Sequence, residues 1–293
     1  MQEAHFGRIA IARVVDLDSV RFPADVIFPD ASREIMQAEQ RRLGPRLIDS
    51  ASLDLLLSFH CFVLRTARHI ILVDTCVGND KERPMRPMWH RRQGAFLERL
   101  KAAGVTPEAV DFVLCTHLHA DHVGWNTRLV DGRWVPTFPR ARYLIAETEY
   151  QFWRRQYDSN PPAPVAYGSF ADSVLPVAAS GQAVMVRSDH AVETGIYLEA
   201  APGHTPGNVI IHVEDGDAHA ALCGDVLHHP VQLAHPAWST RFCADPALSQ
   251  ATRAAFLRRY ADTETRVLTG HFQAPTLGRI VRAGRAYDFI FDE

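Results

Sequence analysis

The chain has 293 residues, of which 47% are hydrophobic and 22% are charged, and its formal net charge is −3. This composition is that of an ordinary globular protein with a sizeable core, and it excludes disorder over most of the chain. Lysine and arginine form no long basic block, so the sequence carries no electrostatic footprint for nucleic acid or an anionic membrane. A small-molecule substrate is therefore favoured.

The five cysteines are odd in number and irregularly spaced, which argues against a disulfide framework. Structural roles are expected for all five thiols, because buried free cysteines are common and inert. The first residues contain no apolar stretch long enough for a signal peptide, and no run approaches the roughly 20 apolar residues of a membrane span. A cytoplasmic location is the resulting expectation.

Residues 1 to about 50 are interrupted by Pro23 and Pro29, and they are predicted to form strands and loops that pack on the rest of the chain or cover a pocket. Apolar segments at residues 62–66 and 70–73 then flank a polar turn. They predict a hairpin that ends at Asp74. A helix is predicted from about Met88 to Ala103, closed by Gly104.

A short helix at residues 106–108 and a buried strand at residues 112–114 come next. They are followed by a strand at residues 143–146, a helix at residues 147–156 and a proline-rich connection at residues 161–164. A second hairpin, over residues 208–213 and 218–223, also ends at an aspartate, Asp225. The two hairpins suggest two halves built on one strand-turn-strand plan.

A helix at residues 247–261 and a strand at residues 266–269 lead to His271. No domain-sized linker interrupts these elements. The sequence therefore predicts a single domain over residues 1–293, with residues 1–50 as an N-terminal extension.

The segment from His117 to His122 places four candidate metal ligands directly after a predicted buried strand. Three further candidates lie downstream, each after an apolar strand and next to glycine: His204, Asp225 and His271. Imidazole nitrogen and carboxylate oxygen suit Zn²⁺, Mn²⁺, Fe²⁺ or Co²⁺, whereas a structural zinc site would be rich in cysteine. The sequence therefore predicts a metal centre that keeps a coordination position open for water.

The H-x-H-x-D-H motif with these three partners resembles the metallo-β-lactamase superfamily, from about Phe62 to His271. The resemblance implies an α/β fold, an αβ/βα sandwich of two mixed β-sheets flanked by helices. It also implies a hydrolase with two divalent metal ions, Zn²⁺ being the first expectation and Mn²⁺, Fe²⁺ or Co²⁺ the alternatives. By motif, His117, His119 and His204 would hold one ion, Asp121, His122 and His271 the other, and Asp225 with a hydroxide would bridge them.

Departures from other branches narrow the activity that the resemblance implies. Di-iron redox members place glutamate where this chain has His119, and true β-lactamases usually lack the bridging aspartate that is present here as Asp225. The nucleic-acid-processing branches carry extra domains or a basic arm, for which the sequence gives no sign. The remaining pattern is similar to acyl-homoserine lactonases and to hydrolases related to methyl parathion hydrolase.

The position three residues after the bridging aspartate distinguishes these two groups. Lactonases typically have tyrosine there, whereas this chain has His228, which looks more like the second group, as do residues 278–282 and 287–289. The predicted activity is hydrolysis of a lactone or aryl ester, with phosphotriester cleavage as a promiscuous reaction. Asp121, Asp225 and His228 are the catalytic candidates, Asp121 as a possible proton shuttle.

Two other classes of function are kept open. A glyoxalase-II-like thioesterase shares all seven ligands, but the chain ends in Asp292-Glu293 rather than in a basic glutathione-binding tail. A metal-binding sensor or scaffold without catalysis would be expected to have lost ligands. A homodimer through the segment at residues 55–57 is one interpretation of that apolar run, and burial within the monomer is the other.

Several residues carry weaker predictions. Asp74 is expected to accept a hydrogen bond from a ligand imidazole, although Cys76 stands where related proteins have glycine. Thr116 and Thr205 either donate hydrogen bonds in the site or are ordinary strand-end threonines. His228 and His229 either contact substrate or are polar loop residues. Candidates for lining an apolar pocket are Trp125, Phe152, Trp153 and Trp238.

Overall fold

The computed structural model describes residues 3–292. The chain forms two compact units. The first unit consists of residues 3–16 and 59–190, and the second unit consists of residues 17–58 and 191–292.

The strands are β1 (Ala4–Phe6), β2 (Ile9–Phe22), β3 (Leu55–Arg65), β4 (Ile70–Val73), β5 (Phe112–Cys115), β6 (Thr127–Val130), β7 (Arg133–Pro136), β8 (Arg142–Ala146), β9 (Ala183–Val186), β10 (Ala191–Glu193), β11 (Ile196–Ala200), β12 (Val209–Asp215), β13 (Ala218–Leu222), β14 (Arg266–Leu268), β15 (Leu277–Ala283) and β16 (Ala286–Phe291). The α-helices are α1 (Ala24–Ile27), α2 (Arg33–Leu43), α3 (Phe96–Ala102), α4 (Ala120–Val123), α5 (Glu147–Asp158), α6 (Leu175–Ala179), α7 (Val231–Ala234) and α8 (Pro246–Tyr260). Short 3₁₀ helices lie at Pro107–Ala109, Gly124–Asn126, Val165–Gly168 and Gly224–Val226, and a π-helical turn at Phe170–Val174.

The first sheet has seven strands in the order β1-β2-β3-β4-β5-β8-β9. Strands β3 and β4 form the predicted hairpin, with Phe62 opposite Val73, and β4, β5, β8 and β9 then pair in parallel. Strand β5 is short and almost fully buried, as expected for a parallel strand with both faces covered. Its carboxyl end therefore presents the following loop, which carries the histidine cluster.

The second sheet also has seven strands, in the order β10-β11-β12-β13-β14-β15-β16. It contains the second predicted hairpin, in which His212 of β12 lies opposite Ala221 of β13. Strand β13 pairs in parallel with β14, as β4 pairs in parallel with β5 in the first sheet. Each predicted hairpin thus leads into a parallel strand pair, in agreement with the plan of two similar halves.

Each unit has its own apolar core. In the first unit, Leu72 and Val113 of the sheet pack with Phe96 of α3 in one buried cluster. In the second unit, Val267 of the sheet packs with Leu257 of α8. Burial of one such side chain stabilises the folded state by about 1.5 to 3 kcal/mol, so these contacts hold the strand ends that carry the site.

The N-terminal segment contains a helix that the sequence analysis did not predict. Helix α2 begins after Ser32, whose hydroxyl accepts a hydrogen bond from the Ile35 backbone N–H at 3.3 Å, and ends at Gly44 with φ 79°. A serine N-cap and a glycine C-cap are readable signals that could have found it. Strand β2 of the same segment is part of the first sheet.

The helix predicted from Met88 is shorter than expected, because α3 begins only at Phe96. The Asn79 side chain holds Gly94 in a non-helical conformation. Gly94 N–H donates to Asn79 Oδ1 at 2.7 Å, and Asn79 Nδ2 donates to Gly94 O at 2.9 Å. The end of the helix near Gly104 is as predicted.

Other features bear on the sequence predictions. Leu55 and Leu57 are buried within the chain, which favours the monomer-core interpretation of that run. All five cysteines are free, and four of them are buried.

Over residues 3–292, no helix has both the length and the apolar character that crossing a bilayer requires. The single-domain assignment of residues 1–293 stays a prediction.

Candidate metal centre

The first half-site consists of His117, His119, Asp121 and His122, on the loop after β5 and the short helix α4 that follows it. His119 is the N-cap residue of α4, and Asp121 lies in its first turn. His117 Nε2 lies 3.1 Å from His119 Nδ1, and His122 Nε2 lies 3.9 Å from Asp121 Oδ2. The four predicted ligands of this segment are thus brought together in two pairs.

Asp74 orients His122, as predicted. Its Oδ2 atom lies 2.8 Å from His122 Nδ1, and it also accepts hydrogen bonds from the Thr116 hydroxyl and backbone N–H, each at 2.8 Å. Because His122 Nδ1 donates to this carboxylate, the other ring nitrogen presents a lone pair. His122 is therefore held in the tautomer that a metal ligand requires.

Thr116 orients His117 in a similar way. Since the Thr116 hydroxyl donates its proton to Asp74, it accepts from His117 Nδ1, which lies 3.1 Å away. His117 Nε2 is then a lone-pair donor, 3.1 Å from His119 Nδ1. Of the two roles left open for Thr116, the hydrogen-bonding one is confirmed.

The loop that carries Asp74 is held against the histidine helix by backbone hydrogen bonds. Thr75 N donates to His122 O at 2.6 Å, and Gly124 N donates to Cys76 O at 2.7 Å. Cys76 has φ 53°, a left-handed conformation that favours glycine, and its side chain is fully buried. The cysteine that departs from the family pattern therefore occupies a backbone position suited to glycine.

Glu149 of α5 supports the first half-site and was missed by the sequence analysis. Its buried Oε1 atom accepts from the Leu118 backbone N–H at 3.0 Å and from the Trp153 indole N–H at 2.7 Å. The Trp153 ring in turn lies edge-on to His119, with centroids 5.5 Å apart. No local motif marks Glu149 as part of the site, because the Leu118 N–H that connects it to the histidine loop is distant in sequence.

The second half-site consists of His204, Asp225, His228 and His271 in the second unit. Three imidazoles surround the buried Asp225 carboxylate: His204 Nε2 and His228 Nε2 each lie 3.0 Å from Oδ2, and His271 Nε2 lies 3.1 Å from Oδ1. Asp225 lies in the short helix Gly224–Val226 directly after β13, as the sequence pattern predicted. It is therefore the centre of this half-site.

His271 faces Asp225 with a lone pair. Its Nδ1 atom lies 3.1 Å from the Ser58 carbonyl oxygen, and Ser58 N donates to His271 O at 2.9 Å. A carbonyl can only accept, so Nδ1 carries a proton, and in the neutral imidazole Nε2 then presents a lone pair. Two acceptors, His271 Nε2 and Asp225 Oδ1, consequently face each other in a buried place.

His204 has a partner that the sequence analysis did not anticipate. Its Nδ1 atom lies 3.6 Å from the sulfur of Cys243, which is only partly buried, so this thiol is not simply part of the core. Burial lowers the pKa of His204, but the Asp225 carboxylate more than offsets this and the pKa rises to about 9. The buried carboxylate therefore creates a strong demand for positive charge beside it.

The two adjacent histidines after Asp225 differ in role. The His229 ring is occupied by the backbone, since Nε2 donates to Leu47 O at 3.0 Å and Nδ1 accepts from Val231 N at 3.2 Å. Burial lowers the pKa of His228 to about 4 although the Asp225 carboxylate beside Nε2 opposes the shift, so the ring is neutral. His229 is structural, whereas His228 remains a candidate for contact with substrate.

The aromatic candidates are mostly core residues. Trp125 is buried and stacks on Phe96 with ring centroids 5.5 Å apart. Trp238 is buried against His235, with centroids 4.3 Å apart. Phe152 and Trp153 are partly buried. The prediction that Trp125 and Trp238 line a pocket is therefore not supported, because their rings are used in packing.

Both half-sites contain pairs of acceptor atoms that suit a divalent cation. Acceptor atoms are fixed face to face by hydrogen bonds on their far sides, at His122 with Asp121 and at His271 with Asp225. Facing lone pairs repel in a buried site unless a cation lies between them. Ligand atoms about 2.1 Å from one ion lie roughly 3 to 3.5 Å apart, close to the separations observed. These donors can thus hold metal ions.

Asp74→Asn is expected to lower metal affinity about 10- to 100-fold, the usual cost of losing a partner of a ligand histidine. The carboxylate uses both oxygens, Oδ1 to accept from the Thr116 backbone N–H and Oδ2 to accept from the Thr116 hydroxyl and His122. The amide replaces one of these oxygens with a donor, so it cannot accept all three hydrogen bonds. Metal retained after dialysis against a graded chelator series would measure the effect. Asp30→Asn, at an exposed position, is the control, and equal metal retention in the two variants would rule out the orienting role.

Comparisons with known proteins agree with the sequence pattern. The metallo-β-lactamase superfamily matches residues 58–271. An N-acyl homoserine lactonase from Bacillus sp is 25% identical over 166 residues, which are 53% of this chain and 57% of that protein. A probable metallo-hydrolase from Mycobacterium tuberculosis is 26% identical over 182 residues, 58% of this chain and 57% of the relative. The chain thus spans just over half the length of these curated relatives.

Two solved structures are similar over the whole chain. AidC, a dizinc quorum-quenching lactonase in complex with a product, has a TM-score of 0.80 at 19% identity and covers 100% of this chain and 97% of its own. The hydrolase AbOPH of the β-lactamase superfamily has a TM-score of 0.82 at 21% identity, with the same coverage. The predicted fold of two mixed β-sheets flanked by helices is confirmed. Because the family match extends over more than half of the residues, the chain belongs to the metallo-β-lactamase superfamily.

Proposed function

We propose that this chain is a dinuclear metal-dependent hydrolase that opens lactones, with aryl esters as further substrates. The observation that carries the proposal is the buried Asp225 carboxylate with three imidazoles within about 3 Å, since converging imidazole nitrogens and a carboxylate are the ligand chemistry of a divalent transition metal. Family membership supports the same conclusion. The substrate is proposed to be a small molecule.

The proposed ligands are the seven residues of the family pattern: His117, His119 and His204 for one ion, Asp121, His122 and His271 for the other, and Asp225 for both. Zn²⁺ is the proposed ion, with Mn²⁺, Fe²⁺ or Co²⁺ as alternatives, because nitrogen and carboxylate ligands accept each of them. Two such ions, when bound, supply a water of lowered pKa and a Lewis acid for the substrate carbonyl.

The protein's own groups would carry the proton and orient the substrate. In lactone hydrolysis, water adds to the carbonyl carbon, the ring C–O bond breaks, and the leaving oxygen takes up a proton. The Asp121 carboxylate would take the proton from water and return it to the leaving oxygen. Asp225 would hold the water in position, and the neutral His228 ring would donate a hydrogen bond to a substrate oxygen.

The choice of lactones rests on the relatives. N-acyl homoserine lactonases match the sequence, and a dizinc quorum-quenching lactonase shares the fold. Quorum quenching is therefore the proposed biological context. His228 stands where such lactonases have tyrosine, which supports aryl esters, and phosphotriesters as promiscuous substrates, beside lactones.

The test is a panel of initial rates, with and without chelator, for acyl-homoserine lactones, simple lactones, aryl esters, a thioester, a phosphotriester and a β-lactam. We expect chelator-sensitive turnover that is fastest on a lactone or aryl ester. Fastest turnover of the thioester would favour a glyoxalase-II-like enzyme instead. Tight metal binding without turnover of any substrate would favour a non-catalytic sensor or scaffold.

His228→Phe is expected to lower kcat about 100-fold on the preferred substrate, as for loss of one donor to a developing negative charge, with metal content unchanged. His228→Tyr keeps a donor of similar reach, so it should recover at least part of the rate on lactones. Steady-state kinetics and metal analysis of the two variants measure this difference. Equal rates for His228→Phe and the parent protein would remove His228 from the mechanism.

A further inference from the structure

A second group of metal-binding side chains lies on the second sheet, within the β12–β13 hairpin. His212 and Glu214 are on β12, and His219 is on β13. Glu214 lies directly opposite His219 in the strand register, and His212 is two residues before Glu214. Because side chains alternate along a strand, all three project from one face of the hairpin. We call them the hairpin cluster.

The atoms of the hairpin cluster converge on one place. His212 Nδ1 lies 3.0 Å from His219 Nε2, and His219 Nε2 lies 3.5 Å from Glu214 Oε1. The His212 side chain is fully buried, whereas the side chains of His219 and Glu214 are 23% and 43% exposed. The cluster is therefore built on a rigid base and remains open to an ion from solvent.

The tautomer of His212 suits a ligand. Its Nε2 atom lies 2.9 Å from Glu199 Oε2, so Nε2 carries the proton and Nδ1 presents a lone pair toward His219. Glu199 is itself held by Arg259, whose Nη1 lies 2.6 and 2.8 Å from its two oxygens. This pair of partners fixes the buried ring in the orientation that a metal ligand needs.

Thr265 allows His219 to take either of two states. His219 Nδ1 lies 3.1 Å from the Thr265 hydroxyl oxygen, which can donate or accept. When the hydroxyl donates, His219 Nε2 carries the proton and donates to His212 Nδ1, so the network is satisfied without metal. When the hydroxyl accepts, Nε2 is a second lone pair beside Glu214, and three acceptors converge.

Tyr197 supports the third ligand. Its hydroxyl donates to Glu214 Oε1 at 2.6 Å, and its ring stacks on His212 with centroids 4.7 Å apart. The carboxylate is thereby held beside His219 instead of extending freely into solvent. Two imidazoles and one carboxylate with a solvent-facing side are the ligand set of a zinc site with an open coordination position.

We propose that the hairpin cluster binds a divalent transition-metal ion, Zn²⁺ in the first instance, through His212 Nδ1, His219 Nε2 and Glu214. This site is independent of the proposed catalytic ions, because it shares no residue with either half-site. A bound ion would link β12 to β13. Binding requires the His219 proton to be on Nδ1 instead of Nε2, and the Thr265 hydroxyl then rotates to accept a hydrogen bond from Nδ1.

The test compares zinc uptake by the full chain and by two variants, His219→Gln and Glu214→Gln, in buffered free Zn²⁺. We expect each variant to hold one ion fewer per chain than the parent protein and to bind that ion at least about 100-fold more weakly, since loss of a ligand should cost at least as much as loss of a ligand's partner. Hydrolytic rates should be unchanged in both. His5→Gln, which removes an exposed histidine in the first unit, is the control.

The readout is a difference between variants, so it does not depend on how many ions the catalytic centre holds. The Glu214 side chain is 43% exposed, and Glu214→Gln should fold even where loss of His219 disturbs the hairpin. Zinc should also raise the Tm of the parent protein above that of Glu214→Gln. Both proteins are measured with the proposed catalytic ions already bound. Equal zinc uptake by the parent and both variants would overturn the proposal and leave the metal-free hydrogen-bond network as the state of the cluster.

Discussion

Asp225→Asn is expected to lower kcat/KM by at least about 1,000-fold, because it removes the charge on which the second half-site is centred. The Asp225 carboxylate has three imidazole nitrogens within about 3 Å, and one of them, on His271, is fixed as a lone pair by the Ser58 carbonyl. Asparagine has nearly the same shape but no charge. The loss of activity should therefore be accompanied by loss of metal.

Kinetics and elemental analysis of the same preparation would test this expectation. Asp217→Asn, at an exposed turn position, is the matched control and should keep both activity and metal. Near-normal metal content with a 1,000-fold lower rate would assign Asp225 to the chemical step instead of metal binding. Retention of both metal and activity in Asp225→Asn would contradict the proposed ligand set.

Gly124→Ala is expected to destabilise the first unit by roughly 3 kcal/mol or more, since the added methyl group overlaps backbone that cannot move aside easily. A Cβ on Gly124 would overlap the Val77 carbonyl, and a Cβ on the facing Gly78 would lie 2.7 Å from the Gly124 carbonyl. At these two glycines, the loop that carries Asp74 touches the helical segment that carries the histidines. Crowding there should disturb the first half-site as well as the fold.

Thermal unfolding would measure the change, and the Tm should fall by about 6 to 12 °C if roughly 3 kcal/mol is lost. Gly132→Ala is the comparison, because Gly132 has φ 76° in open space and its substitution introduces strain without crowding. That strain should cost about 1 kcal/mol. A Gly124→Ala protein no less stable than Gly132→Ala would show that the close approach of the loops is not required.

Much of the fold was predictable because local signals agreed with the tertiary structure. The hairpins, strand β5 and helices α5 and α8 were placed within a few residues, since apolar runs and turn residues mark them directly. Helix α2 was missed although Ser32 and Gly44 cap it. Helix α3 was predicted too long, because the hydrogen bonds of Asn79 with Gly94 join residues whose pairing no local pattern reveals.

The candidate site was likewise predictable in part. The sequence by itself determined the candidate ligands and the family, because ligand chemistry resides in residue types that recur at strand ends, at His117, His204, Asp225 and His271. It also pointed to Asp74, which the structure places against His122. These inferences needed only the residues along the chain and the resemblance of their motif to a known family.

Only the tertiary structure decided which groups besides Asp74 hold the ligands in place. Glu149 accepts from Leu118, the Ser58 carbonyl fixes the tautomer of His271, and Cys243 contacts His204. It also separated the structural His229 from His228 and assembled the hairpin cluster from two strands. Hydrogen bonds and strand pairing join residues that are distant in sequence and mark neither partner with a local pattern, so their arrangement becomes visible only once the chain is folded.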